Sequence, residues 1–307
     1  MSSADRVELC HVTSGNGSRI TGLLAIPRTT AKAVIVLPPG YERRMHHYAV
    51  LSSYLVRHEF AVLRFDLTNH VGVSGGDICD LTMSSMAHDL GGILDAIPPA
   101  VAGLPRAIVA PSLAARAAVR AASTRDVAGL VLLLPVVDLM ATLTRVLGYD
   151  VYDVYRARAA TGDDKLVRVV EHDIKVRFVV DAVESGWEGV ASTAQEMARI
   201  AAPIAAIAAE ADDWVEAADV RSALELGGRD GHARQLAVLE ATSHDVAHNP
   251  PVMRMLVEQI LCSLHDALGL PRDPITHFEF DEIIRIGSTE RGWAKEAYGT
   301  LRAGKAK

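Results

Sequence analysis

Apolar positions along the chain fall into short continuous runs separated by longer stretches of helical spacing. Residues 7–12 and 20–26 flank a Ser-Gly-Asn-Gly-Ser stretch and predict a hairpin. The run 33–37 stops at Pro38-Pro39-Gly40 and reads as a buried strand entering a loop. Residues 48–58 carry helical spacing, and 60–65 form the next strand, ending at Asp66. A helix over 86–97, a strand over 107–110, an alanine-rich helix over 113–122 and a buried strand over 129–137 follow. Buried runs alternating with amphipathic helices predict a mostly parallel sheet flanked by helices.

From Leu139 to Ala198 the character changes. Strand signals thin out, and charged stretches such as 163–173 and 194–200 read as helical. This predicts an inserted helical cap over 139–198, with the core formed by 1–138 and 199–307. The strand-loop rhythm returns with 204–208 and 236–239, and a long amphipathic helix spans 251–268. Residues 276–280 read as a strand-like patch ahead of a basic, frayed end.

A chain of 307 residues is long enough for one large domain carrying an insertion. The net charge of −7 argues against a general nucleic-acid binder, which needs a basic excess to displace counterions. The apolar runs are too short for a membrane span, and the start MSSADRVELC lacks the basic and apolar regions of a signal peptide. Cys10, Cys79 and Cys262 are widely spaced with no CxxC pair, which speaks against a disulfide framework or a cysteine zinc site. His70 and His88 have no HxH or HExxH spacing around them, so neither a metal nor another cofactor is expected. The expectation is a reduced, cytoplasmic protein.

The sharpest local feature is VAPSLAARA at 109–117, where a short strand runs into Ser112 and directly into a helix. Alanines at minus two (Ala110) and plus two (Ala114) meet the steric demand of a nucleophile elbow, with Ala in place of the usual Gly. Taken alone, a Ser opening a helix serves as readily as an N-cap. Chain order favours chemistry. The strand at 204–208 leads into Glu210-Ala211-Asp212-Asp213-Trp214-Val215, and that at 236–239 into Thr242-Ser243-His244-Asp245. Open α/β sheets place their sites beyond the carboxyl ends of such strands. A serine hydroxyl needs a base, here His244, and the base needs a carboxylate to fix its tautomer. An acid three residues before a packing Val selects Asp212 over Asp213.

Leu37-Pro38-Pro39-Gly40-Tyr41 follows the third strand, where such folds supply one oxyanion-hole N–H. Tyr41 is the candidate donor, with Leu113, next to the nucleophile, as the second. Asp66-Leu67-Thr68-Asn69-His70-Val71-Gly72-Val73-Ser74-Gly75 fits the Asp…Gly-x-Ser loop that packs below the site. The order of these loops predicts the α/β-hydrolase fold. Arg43, Arg44, His46 and His47 form a basic cluster beside the oxyanion loop; it reads either as a solvated helix start or as a docking site for an acidic carrier protein.

GYERRMHHYAVLSSYL, FAVLRFDLTNHVGVSGG, APSLAARAA, AEADDWV and TSHDV, in that order, resemble the acyl-transferase family of bacterial bioluminescence operons, which are myristoyl-acyl-carrier-protein thioesterases. The likeness covers nearly the whole chain, including residues 278–284. That family shares the Ala-x-Ser-Leu elbow, and its triad falls on Ser112, Asp212 and His244. The resemblance implies cleavage of acyl thioesters, borne by an acyl carrier protein, through an acyl-serine intermediate, without a cofactor. An offloading, editing or cyclising thioesterase of a polyketide or other secondary-metabolite pathway shares the same triad. A non-catalytic scaffold with the hydrolase fold has no need of all three residues. The cap is the weakest part of the likeness. Its many charges, among them Arg156, Arg158, Asp163, Asp164, Lys165, Glu171 and Asp173, leave fewer apolar residues for a long tunnel. Selectivity not sharply tuned to one long saturated chain is the expectation.

Overall fold

The computed structural model describes residues 4–305 except 245, 247, 248 and 273, with the backbone alone for residues 4, 5 and 293–305. Its centre is an eight-stranded sheet in the order β1-β2-β4-β3-β5-β6-β9-β10. Strands β1 (Ala4–Thr13) and β2 (Arg19–Pro27) form the expected hairpin, and β2 pairs antiparallel with β4 (Phe60–Asp66). The remaining pairings are parallel, through β3 (Ala33–Leu37), β5 (Arg106–Pro111), β6 (Gly129–Leu133), β9 (Ile204–Ala209) and β10 (Arg234–Leu239). Strands β3, β4, β6 and β9 are buried at every position. That is why they read as unbroken apolar runs: both sheet faces are covered.

One face packs against α1 (Ala49–Arg57) and α9 (Pro250–Ala267) through Leu51, Leu55, Val257, Ile260 and Leu264. The other packs against α2 (Met83–Asp95), α3 (Ser112–Ala122) and α8 (Ala217–Leu226). A Thr82–Ser85 capping box starts α2, satisfying donors that the first turn leaves without carbonyls. The strand expected over 129–137 ends at Leu133; beyond it Leu134 adopts a positive φ of 47° and Pro135 has no N–H for a ladder.

Between β6 and β9 the chain forms α4 (Leu139–Leu147), α5 (Val151–Thr161), a small hairpin of β7 (Leu166–Val169) and β8 (His172–Lys175), then α6 (Arg177–Glu184) and α7 (Val190–Met197). The hairpin corrects the expectation of helix over 163–173. Val167, Val169 and Val170 are β-branched, and Arg168 faces Asp173 across the pair at 3.5 Å. This insertion is tied to the helix behind Ser112: the fully buried Arg116 of α3 reaches Glu196 of α7 at 2.5 Å, and Arg120 lies 3.4 Å over the Trp187 ring.

The patch at 276–280 is not a strand. Two of its N–H groups find acceptors on α1 and its C-cap residue, Thr276 on His58 Nε2 at 3.3 Å and Phe278 on the Tyr54 hydroxyl at 2.9 Å. With Phe278 buried and the Arg57 guanidinium 3.6 Å over its ring, the segment leads into α10 (Phe280–Lys305). The basic end expected to fray is helical to Lys305, and residues 306 and 307 lie outside the described range. Among the described residues no helix is long and apolar enough to cross a membrane.

Asp66, fully buried at the end of β4, joins the loops above the sheet. Its Oδ1 accepts the Met45 N–H at 2.8 Å and its Oδ2 the Val73 N–H at 3.0 Å. Its carbonyl accepts the Ser74 hydroxyl, which in turn accepts the Thr21 N–H at 2.9 Å. Gly72 is required here: its φ is 136°, and a Cβ would come within 2.4 Å of the Asp66 carboxyl. Replacing Asp66 by Ala leaves the buried Met45 and Val73 N–H groups without acceptors, at about 1–3 kcal/mol each. Asp66→Ala should therefore unfold at a melting temperature lower by several degrees, measured by circular dichroism.

Candidate active site

Strand β5 delivers Ser112 at its carboxyl end. The serine has φ 49°, a left-handed conformation that a non-glycine residue adopts at a cost of about 1–3 kcal/mol. Ala110 and Ala114 on either side are fully buried, so larger side chains there would collide with the packed turn. No side chain caps α3. The Ser112 hydroxyl lies instead 2.9 Å from His244 Nε2, which separates it from an ordinary N-cap serine. The carbonyl of Ser112 accepts the Val136 N–H at 3.3 Å, tying the elbow to the segment after β6.

His244 comes from the loop after β10 and Asp212 from the loop after β9. His244 Nδ1 is 2.7 Å from Asp212 Oδ2, and the carboxylate is 2% exposed. The other oxygen, Asp212 Oδ1, accepts the N–H groups of Trp214 at 2.9 Å and Val215 at 3.0 Å. Asp213 is exposed. An anion whose oxygens are both occupied is fixed in rotamer, and with Nδ1–H donating to it the imidazole presents Nε2 as acceptor to the hydroxyl. The three side chains expected from the sequence to carry chemistry thus form one hydrogen-bonded chain.

The loop after β3 lies beside the elbow. The N–H of Gly40 donates to the Tyr48 hydroxyl at 3.0 Å, and a Cβ on Gly40 would stand 3.7 Å from Pro111. Tyr41, next in the chain, donates its hydroxyl to the Val169 carbonyl of β7 at 3.0 Å. Glu42 accepts the Glu171 N–H at 2.8 Å. The β7–β8 hairpin therefore rests directly on this loop. Leu113 sits in the first turn of α3, where the helix offers its N–H no carbonyl.

Arg43 is exposed and Arg44 half-buried, flanking a short 3-10 turn at Met45–Tyr48. Burial, with help from His46, Arg43 and Arg44, pushes the His47 imidazole down to about 4, and burial also lowers His46. At neutral pH the positive charge of this cluster therefore resides on the two arginines. His70 is buried with its ring 6.2 Å from that of Tyr41, and burial pushes its imidazole down to about 4. Among the described residues no group of three His, Cys, Asp or Glu side chains converges as a metal site. Two surface cavities, about 500 and 530 Å³, share Ser84 and His88 at the start of α2; neither is lined by Ser112, Asp212 or His244.

Two further residues not singled out from the sequence lie against these side chains. The Trp214 ring lies over His244, centroids 4.6 Å apart at 35°. Arg145 of α4 donates to the Trp214 carbonyl at 3.2 Å. The position of Trp214 directly after the acid pair was the available signal; Arg145 gave none, because its partner is 69 residues away.

Comparison with known proteins agrees with the architecture. Among solved structures, a lipase in its open form superposes with a TM-score of 0.70 at 18% identity, covering 86% of this chain and 99% of the other. Est1E from Butyrivibrio proteoclasticus, with ferulic acid bound, gives 0.65 at 14% identity over 83% of this chain and 99% of the other. Likenesses at such identity establish the fold, an α/β hydrolase. Sequence relatives reach further. An acyl transferase of Photobacterium leiognathi is 30% identical over 268 residues, 86% of this chain and 82% of that protein. One from Photorhabdus luminescens is 31% identical over 230 residues, 75% of this chain and 73% of that protein. The acyl transferase family model matches residues 16–285, a span that contains the elbow, the acid loop and the histidine loop, and the chain belongs to that family.

Proposed function

We propose that the protein is a serine acyl hydrolase or acyltransferase that cleaves acyl thioesters, delivered on an acyl carrier protein, through an acyl-serine intermediate. The observation that carries this reading is the chain Asp212–His244–Ser112, with links of 2.7 and 2.9 Å, ending on a serine in a left-handed elbow. In this mechanism Ser112 Oγ attacks the thioester carbonyl while His244 Nε2 takes its proton. The tetrahedral oxyanion is received by the Tyr41 and Leu113 N–H groups. The thiolate leaves with the proton from His244. Water or another acceptor then gives its proton to His244 Nε2 and attacks the acyl-serine carbonyl; the adduct collapses with cleavage of the acyl–Oγ bond as His244 returns the proton to Ser112 Oγ, releasing the acyl product. Asp212 holds Nδ1–H throughout and balances the imidazolium.

Arg43 and Arg44, the charged part of the basic cluster, are the proposed docking site for the carrier. They stand two and three residues beyond Tyr41, so a carrier bound there would present its thioester close to the oxyanion donors.

A fluorophosphonate probe should label wild type at a single residue, and Ser112→Ala should abolish the label. Labelling that survives this change overturns the nucleophile assignment. Asp212→Asn should slow labelling on the order of 10³-fold or more through loss of the correct tautomer. Asp213→Asn, at an exposed position, should stay within about threefold of wild type. The reverse order would assign the acid to Asp213.

Changing Arg43 and Arg44 together to Glu should lower kcat/KM for an acyl-carrier-protein substrate roughly tenfold at low salt, with a smaller effect at high salt. Hydrolysis of a p-nitrophenyl ester should change less than about twofold, because charge at the docking site acts on encounter and not on Ser112. Equal losses on both substrates would mean that the Tyr41 loop, and not docking, was disturbed.

A further inference from the structure

The two ring nitrogens of His244 are each bonded, Nδ1 to Asp212 at 2.7 Å and Nε2 to Ser112 at 2.9 Å. Bonds through opposite edges hold an imidazole along its long axis. They resist poorly a roll about that axis or a shift along the ring normal, and either motion spoils the approach of Nε2 to the hydroxyl proton. A group on the ring face is what limits such motion, and Trp214 lies there, 4.6 Å away at 35°.

The Trp214 backbone is held on both sides of its Cα. Its N–H donates to Asp212 Oδ1 at 2.9 Å, and its carbonyl accepts from Arg145 Nη1 at 3.2 Å. Arg145 stands in the last turn of α4, the first helix of the cap. Its other terminal nitrogen, Nη2, bonds to Glu216 and lies 3.9 Å from Asp219. The Arg145 side chain is 31% exposed, so each ion pair adds little to stability; together they fix where the guanidinium sits.

We propose that Trp214 is a positioning residue for His244, and that the cap governs it through Arg145. The connection runs from α4 through the Arg145 guanidinium, the Trp214 carbonyl and the indole to the imidazole. This rests on the reading of Ser112 as nucleophile and His244 as base, and adds that the segment between β6 and β9 acts on turnover. An acyl chain that displaces α4 would then lower kcat through His244 alignment.

The test uses p-nitrophenyl acetate, whose acyl group is too short to fill a cap pocket, with the full-length protein. Measured are kcat, KM and the rate of fluorophosphonate labelling for wild type, Arg145→Ala, Trp214→Ala, Trp214→Phe and the Arg145→Ala/Trp214→Ala pair. Trp214→Ala should lower kcat and the labelling rate about tenfold or more with KM within about twofold, the mark of a group that acts in the transition state. Trp214→Phe should restore most of the loss by returning an aromatic face. Arg145→Ala alone should lower kcat about three- to fivefold, yet change nothing further once Trp214 is Ala, because its effect passes through that residue. Multiplying effects in the pair would overturn the coupling, and a wild-type kcat in Trp214→Ala would overturn the positioning role. If Trp214→Ala fails to fold, by its thermal melt, Trp214→Leu supplies bulk without an aromatic face and the same cycle is read on it. Full turnover in Ser112→Ala would instead remove the underlying nucleophile reading.

Discussion

A serine held with φ 49° between a buried strand and a buried helix governs the organisation of this molecule. The left-handed turn costs about 1–3 kcal/mol and persists only where the surroundings over-determine it. They do so here on several sides. Ala110 and Ala114 leave room for nothing larger, β5 is fixed between β3 and β6, and the Ser112 carbonyl is bonded to Val136. A hydroxyl lifted out of the sheet in this way meets the loops that follow β9 and β10, where His244 and Asp212 stand.

The helix that leaves this elbow also anchors the segment between β6 and β9. Arg116, one turn into α3, is fully buried, and its charge is matched by Glu196 of the insertion. Removing Glu196 strands the Arg116 charge in the interior, at about 3–5 kcal/mol. The insertion also touches the loop after β3 through Tyr41 and Glu42 and the loop after β9 through Arg145. The segment between β6 and β9 is thus bonded to every part of the proposed mechanism except the histidine loop itself, whose His244 ring lies under Trp214.

What could be read from the sequence divides along physical lines. The central strands were legible because burial on both faces leaves an uninterrupted apolar run. Ser112 and Asp212 each follow such a run, and His244 follows the half-exposed edge strand β10, so the sequence order foreshadows their meeting beyond the strand ends. The hairpin at 166–175 was not. Its charges mimic a solvated helix, and only the β-branched Val167, Val169 and Val170 hinted otherwise. Residues 276–280 have strand-like residues, but the N–H groups of Thr276 and Phe278 are satisfied by His58 and Tyr54, more than 200 positions earlier. The roles of Asp66 and Arg145 likewise depend on partners that no local pattern specifies.

The account stands on a covalent acyl group at Ser112. Wild-type protein mixed with an acyl-carrier-protein thioester, quenched within a single turnover and analysed by intact mass and peptide mapping, tests this most directly. The predicted result is a mass increase equal to the acyl group, mapped to the peptide carrying Ser112 and absent from Ser112→Ala. An acyl group mapped to another residue, or undiminished turnover by Ser112→Ala, would contradict it.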